Sequence, residues 1–247
     1  MSSEQALPII LKELRLSTIN KYWQPYNETA IDEGWSYPKY LGTLAELELT
    51  QRTQNRIMRN IKAAKLPPGK TIDTFDFKAA KSINKAQINA FVENPDWVKQ
   101  ANNLILFGPS GVGKTHLAAA IGYSMAEQNI RVLFTSTTAI VQQLQKARAE
   151  YRLNEELAKL ARIPLLIMDD ISYVKKNEME TSVLFELISN RYESASIIIT
   201  SNQPFGDWDQ IFPDNMMAVA AIDRVVHHAT IINIKEESYR KTHSKNK

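Results

Sequence analysis

The apolar run Leu104-Ile105-Leu106-Phe107 leads directly into Gly108-Pro109-Ser110-Gly111-Val112-Gly113-Lys114-Thr115, and a helix-forming stretch follows. No other segment constrains the fold as strongly, because it fixes a strand, a glycine-rich loop and a helix in one order. Glycines at 108, 111 and 113 let backbone N–H groups close around phosphate oxygens. Lys114 brings a point charge to the β- and γ-phosphates, and the Thr115 hydroxyl suits Mg²⁺. The segment reads as a site for a nucleoside triphosphate.

With 247 residues the chain has room for one good-sized core and a small accessory unit. It contains no cysteine, which excludes disulfide frameworks and thiolate zinc sites and fits a reducing compartment. Its four histidines are scattered, so no metal site is expected from them. The start, Met1-Ser2-Ser3-Glu4-Gln5, lacks the basic and apolar regions of a secretory signal, and no apolar run approaches membrane-spanning length. A cytoplasmic location with no membrane partner is expected. The formal net charge of +3 says little about nucleic acid, so the distribution of charge has to carry that question.

Pro67-Pro68-Gly69 ends a long helical pattern, and residues 70–77 read as an extended lead-in to a new unit. The expected domains are therefore 1–69 and 70–247. Beyond the loop, apolar strands alternate with helical stretches at 132–135, 165–168, 197–200 and 230–234. Five short strands, apolar on both faces and separated by helices, predict a parallel sheet covered on both sides, an α/β fold.

The strand at 165–168 ends in Asp169-Asp170, the Walker B pattern. In such NTPases the first acid, Asp169, holds Mg²⁺ and the next, Asp170, polarises the attacking water. The strand at 197–200 ends in Ser201-Asn202 at the same sheet edge, which gives Asn202 access to the γ-phosphate or its water; a plain turn residue is the alternative.

Together, Gly108 to Leu117, Asp169-Asp170, Thr200-Ser201-Asn202-Gln203-Pro204-Phe205 and Asp223-Arg224-Val225-Val226-His227-His228 resemble the IstB family of insertion-sequence transposition helpers, relatives of the DnaC helicase loaders. The resemblance runs from about Lys70 to Arg240 and is weaker over the amino-terminal seventy residues. It implies an AAA+ ATPase that binds ATP and Mg²⁺ through residues 108–116, including Pro109, Ser110, Val112 and His116. It also implies double-stranded DNA binding, assembly into a homo-oligomer and recruitment of an IstA-like transposase. Two departures stand out. The family usually has Asp-Glu where this chain has Asp169-Asp170, so slow hydrolysis is expected. The short tail leaves no room for a full helical lid, so a lid-type nucleotide contact has to come from Arg240.

Arg224, on a helix predicted over 215–228, matches the position at which DnaC-like proteins present an arginine finger to a neighbour's ATP. An ion pair with Asp223 is the alternative. His227 and His228 have no visible partner and are expected to be structural, and Arg191 is expected to be a solvated helix residue, with a subunit-interface charge as the alternative.

Over 43–66, Leu47, Ile57 and Ile61 fall on one side of a predicted helix, with Arg52, Arg56 and Arg59 on the other and Lys62 following. This basic stripe suits the phosphate backbone of duplex DNA in a largely sequence-tolerant mode; a solvated face is the alternative. Tyr22, Trp23, Tyr26, Trp35, Tyr37 and Tyr40 are expected to form the core of a small helical unit, with stacking on bases as the alternative. An earlier helix is predicted over 7–21, with Ile10 and Leu14 on its docking face. A helicase loader and a small-molecule P-loop kinase are the competing readings of the whole chain, the second lacking an obvious lid.

Overall fold

The computed structural model describes residues 3–171, 178–204, 206, 208 and 215–236. The chain forms two compact units, residues 1–59 and 60–247. The first contains α1 (Ser3–Glu13), α2 (Ser17–Asp32) and most of α3 (Tyr37–Ala63). The single helix expected over 7–21 is broken. Arg15 has φ 57° and Leu16 N–H reaches back to Leu11 O at 2.8 Å, which closes α1. A carboxylate thirty residues away opens α2, because Glu48 Oε2 accepts from Thr18 N at 2.7 Å and Ile19 N at 3.1 Å. Leu11 is buried in this unit while Ile10 and Leu14 are exposed, so the docking face is not the one expected. Trp23, Tyr26, Trp35 and Tyr40 are half-buried, and the Tyr40 hydroxyl donates to Trp23 O at 3.0 Å. Tyr22 and Tyr37, at 37% and 92% exposed, depart from that expectation.

The second unit adds α4 (Lys85–Glu93), α5 (Asp96–Lys99), β1 (Asn103–Phe107), α6 (Lys114–Glu127), β2 (Val132–Ser136) and α7 (Thr137–Ala149). It continues through α8 (Leu153–Ala161), β3 (Leu165–Asp169), α9 (Glu178–Arg191), β4 (Ser196–Ser201), α10 (Asn215–Val226) and β5 (Ala229–Asn233). Every strand pair is parallel, and the order across the sheet is β2-β3-β4-β1-β5. All five expected strands are present. Leu104, Ile105 and Leu106 are fully buried, as are Leu165 to Met168, because helices cover both faces of the sheet.

Two cores result. Leu117, Ile121 and Met125 of α6 pack on one face of the sheet, and Leu144, Leu184 and Leu187 of α7 and α9 pack on the other. Residues 60–69 join the second unit, ten residues earlier than the expected boundary. The cause is packing: Ala64 and Leu66 lie in the α6 core, and Phe134 N of β2 donates to Ala64 O at 2.8 Å. Among the described residues no helix is long and apolar enough to cross a membrane.

Candidate functional site

In the sheet, β4 lies between β3 and β1, and all three run parallel. The residues that follow them therefore emerge together at one edge, the usual position of a ligand in an open α/β sheet. Gly108 leaves β1 with φ 148°, and a Cβ there would lie 2.4 Å from Ile234 O, so only glycine lets the loop turn against the chain beyond β5. Gly113, at φ 101°, is the N-cap of α6, and a Cβ there would lie 3.0 Å from the Phe75 ring. Lys114 and Thr115 thus occupy the first turn of α6, where N–H groups that have no acceptor within the helix and the helix dipole favour an anion.

The Lys114 ammonium donates to Gly108 O at 2.7 Å and Pro109 O at 2.8 Å, which holds it over the loop. Across the edge, Asp169 Oδ1 accepts from Thr115 Oγ1 at 2.9 Å and from Thr200 Oγ1 at 2.7 Å. Thr200 also accepts from Asp170 N at 2.8 Å, so one buried hydroxyl fixes both members of the acidic pair. Asp170 has φ 57°, a left-handed conformation that turns the chain sharply after β3. A hydroxyl beside a carboxylate is a hard-oxygen donor set. It fits Mg²⁺, which takes one or two protein ligands and completes its shell with phosphate and water.

His116 touches the lead-in segment. Its Nε2 lies 3.0 Å from Thr71 O and 3.1 Å from Thr74 Oγ1, and its ring meets Phe75 edge-on at 5.2 Å. The lead-in is thereby fastened to the first turn of α6. Sequence reasoning singled out neither Thr200 nor this fastening. The sequence signal for Thr200 was its place one residue before the expected Ser201-Asn202 strand end. Asn202 is exposed just past the end of β4, on the phosphate-loop edge. Pro109 and Ser110 are exposed at the loop tip and Val112 is buried beneath it. Arg240 lies outside the described residues.

Arg224 lies at the other end of the sheet. Asn103, the first residue of β1, donates from its side chain to Val225 O at 3.0 Å and from its backbone to His228 O at 2.7 Å. The length of β1, about 16 Å at about 3.3 Å per residue, separates that turn from Gly108. The half-buried Arg224 guanidinium sits 4.9 Å from the centre of the Phe185 ring and donates to Ala220 O at 2.9 Å. No salt bridge to Asp223 forms among the described residues.

Arg191 corrects the expectation of a solvated residue. It is 1% exposed, and its guanidinium donates to Leu160 O at 2.9 Å, Ile163 O at 2.9 Å and Ser196 O at 2.7 Å. Burial pulls its pKa down to about 10, still well above neutrality. Its positive charge joins the α8–β3 connection to the start of β4. The histidine pair also has partners after all, Tyr192 and Glu193, with Tyr192 Oη 3.0 Å from His227 Nδ1.

The basic stripe divides. Arg52, Arg56, Arg59 and Lys62 are all exposed, and Arg59 Nε donates within its own helix to Asn55 O at 3.2 Å. Arg52 belongs to the packing of the first unit: it donates to Glu48 Oε1 at 2.8 Å and to Arg15 O at 2.6 Å. Glu48 is 4% exposed and needs this countercharge, which ties the Arg52 guanidinium to the first unit although its side chain remains 52% exposed.

The family model described as IstB-like ATP binding protein matches residues 9–247. A protein of Sinorhizobium fredii named as an insertion-sequence ATP-binding protein is 51% identical over 96% of this chain and 80% of its own length. The corresponding protein of insertion sequence IS21 from Pseudomonas aeruginosa is 37% identical over 95% of this chain and 88% of its own. Among solved structures, the DnaC helicase loader matches with a TM-score of 0.59 at 23% identity, covering 68% of this chain and 98% of that one. AMPPCP-bound DnaA from Aquifex aeolicus matches at 0.58 and 20%, covering 74% and 55%. These likenesses establish the AAA+ P-loop fold, and the chain belongs to the IstB-like ATP-binding proteins of insertion sequences.

Proposed function

We propose that this protein is an ATP-hydrolysing AAA+ regulator of transposition that assembles on duplex DNA and recruits the transposase of its insertion sequence. The carrying observation is that Arg224 and the phosphate loop lie at opposite ends of one sheet. A guanidinium so placed cannot reach the phosphates of its own subunit, but it can complete the site of a neighbour. Hydrolysis then depends on assembly and serves as a switch for assembly and disassembly.

Within the site, Lys114 would exchange its loop carbonyls for the β- and γ-phosphates, and Thr115 and Asp169 would hold Mg²⁺. Bound Mg²⁺ supplies the charge that offsets the phosphates during transfer. Asp170 orients water, Asn202 contacts the γ-phosphate or that water, and Arg240 supplies the lid-type contact. Arg56, Arg59 and Lys62 lie on DNA phosphates, which gives affinity without base readout. The test is electron microscopy of the protein with duplex DNA and a slowly hydrolysed ATP analogue. Ordered oligomers that need both DNA and nucleotide are expected; monomers under saturating amounts of both overturn the reading.

A further inference from the structure

Glu193, in the turn between α9 and β4, and His227 and His228, in the turn between α10 and β5, converge at the sheet end remote from the phosphate loop. One ligand atom from each lies within 4.8 Å of the other two. His228 Nε2 is 3.8 Å from Glu193 Oε1, and the two imidazole rings meet at 4.2 Å. The Tyr192 hydroxyl lies 3.0 Å from His227 Nδ1, which orients that ring as an outer hydrogen bond orients a ligating imidazole. All three groups are exposed, so an ion and its water have open access.

We propose that Glu193, His227 and His228 form a binding site for a divalent transition ion of the zinc class. Two imidazoles and one carboxylate with a position left open is a donor set that zinc takes in proteins, and imidazole nitrogen selects against Mg²⁺ and Ca²⁺. The site is therefore distinct in chemistry, as well as in position, from the oxygen pair Thr115 and Asp169. Ligation joins the turn after α9 to the turn after α10. The bond to Asn103 already holds that second turn against β1, and Arg224 precedes His227 by three residues. A bound ion thus steadies the helix end that carries Arg224. This consequence for Arg224 rests on the proposed function; the site itself does not.

The test uses full-length, nucleotide-free protein with any affinity tag removed and its metals stripped by chelator. Co²⁺ is titrated and read by its visible ligand-field bands, then displaced with Zn²⁺. One Co²⁺ per chain is expected, with His228→Asn and Glu193→Gln each weakening binding at least about tenfold and Tyr192→Phe weakening it less. Circular dichroism confirms that each variant is folded. Should His228→Asn prove unfolded, Glu193→Gln, at an exposed turn, carries the test alone. Absence of stoichiometric binding by the wild type, or binding that folded variants leave unchanged, overturns the proposal. Because nucleotide is absent, failure here leaves the ATPase reading intact, and loss of ATPase activity leaves this site intact.

Discussion

The Thr200 hydroxyl donates to Asp169 Oδ1 across 2.7 Å, and the Thr115 hydroxyl donates to the same oxygen at 2.9 Å. The carboxylate is therefore aimed before any ligand arrives. Thr200→Val removes one of these donors and leaves Asp170 N without its acceptor, at a cost of about 1 kcal/mol in stability. ATP affinity is expected to stay within a few-fold of wild type, because Lys114 and the loop are untouched, while Mg²⁺-dependent hydrolysis falls at least about tenfold. Equal ATPase rates at saturating Mg²⁺ would show that Thr115 alone suffices to orient Asp169.

Lys114→Ala is expected to remove measurable ATP binding and to leave the fold intact. The ammonium donates to two loop carbonyls, Gly108 O and Pro109 O, backbone acceptors on a loop whose tip is open to water. Nucleotide affinity and circular dichroism measured on one sample decide the matter; near wild-type affinity in a folded variant removes the phosphate-loop assignment.

On the basic helix, the structure separates charges that the sequence grouped together. Arg56→Ala with Arg59→Ala is expected to weaken binding to unrelated duplexes alike and to reduce the slope of log affinity against log salt by up to about two, at about 0.9 per phosphate contact. Arg52→Ala is expected to lower the stability of the first unit through Glu48 and to change that slope little. If Arg52→Ala moves the salt slope as much as the double variant does, Arg52 leaves Glu48 to meet phosphate.

Glu48 gives the first unit a pH dependence. Burial pushes its carboxyl up, but hydrogen bonds from Ile19 N, Arg52 and Thr18 N outweigh this and hold it below the ordinary carboxylate value. A depressed folded value means that the stabilisation is fully present above the ordinary value and is lost as pH falls through the depressed one. Glu48→Gln is expected to flatten this acid limb and to lower the midpoint at neutral pH. An acid unfolding profile identical to wild type would show that the cap contributes nothing.

What was legible in the sequence was local. The strands at 104–107 and 165–168 declared themselves as apolar runs, and the Gly108–Thr115 loop as a spacing. The boundary between α1 and α2 did not, because its cap comes from Glu48, a residue of α3, and the segment Leu14-Arg15-Leu16 contains no glycine or proline. Arg191 looked like a surface charge because its acceptors, Leu160, Ile163 and Ser196, are brought together only by the folded sheet. Arg52 has the same spacing as Arg56 and differs from it only through contacts with Glu48 and Arg15. The histidine pair was dismissed for want of a partner, and its partners are supplied by the turn after α9.

The last prediction concerns Arg224. Its guanidinium rests on Phe185 and its own helix, at the sheet end opposite the loop, so its removal leaves Lys114, Thr115 and Asp169 in place. Arg224→Ala is expected to keep folding and ATP affinity near wild type while DNA-dependent hydrolysis drops by about a thousandfold or more, the usual cost of a lost arginine finger. A residue that served only the helix surface would cost at most about 1 kcal/mol of stability and no activity. Mixing decides between action in trans and in cis. In an assembly of Arg224→Ala and Asp169→Ala subunits, each inactive alone, the first offers an intact nucleotide site and the second offers the arginine. Where the two meet in the productive order, part of the ATPase activity returns. Full activity in the single Arg224 variant rejects the finger, and an inactive mixture that nonetheless co-assembles rejects its delivery between subunits.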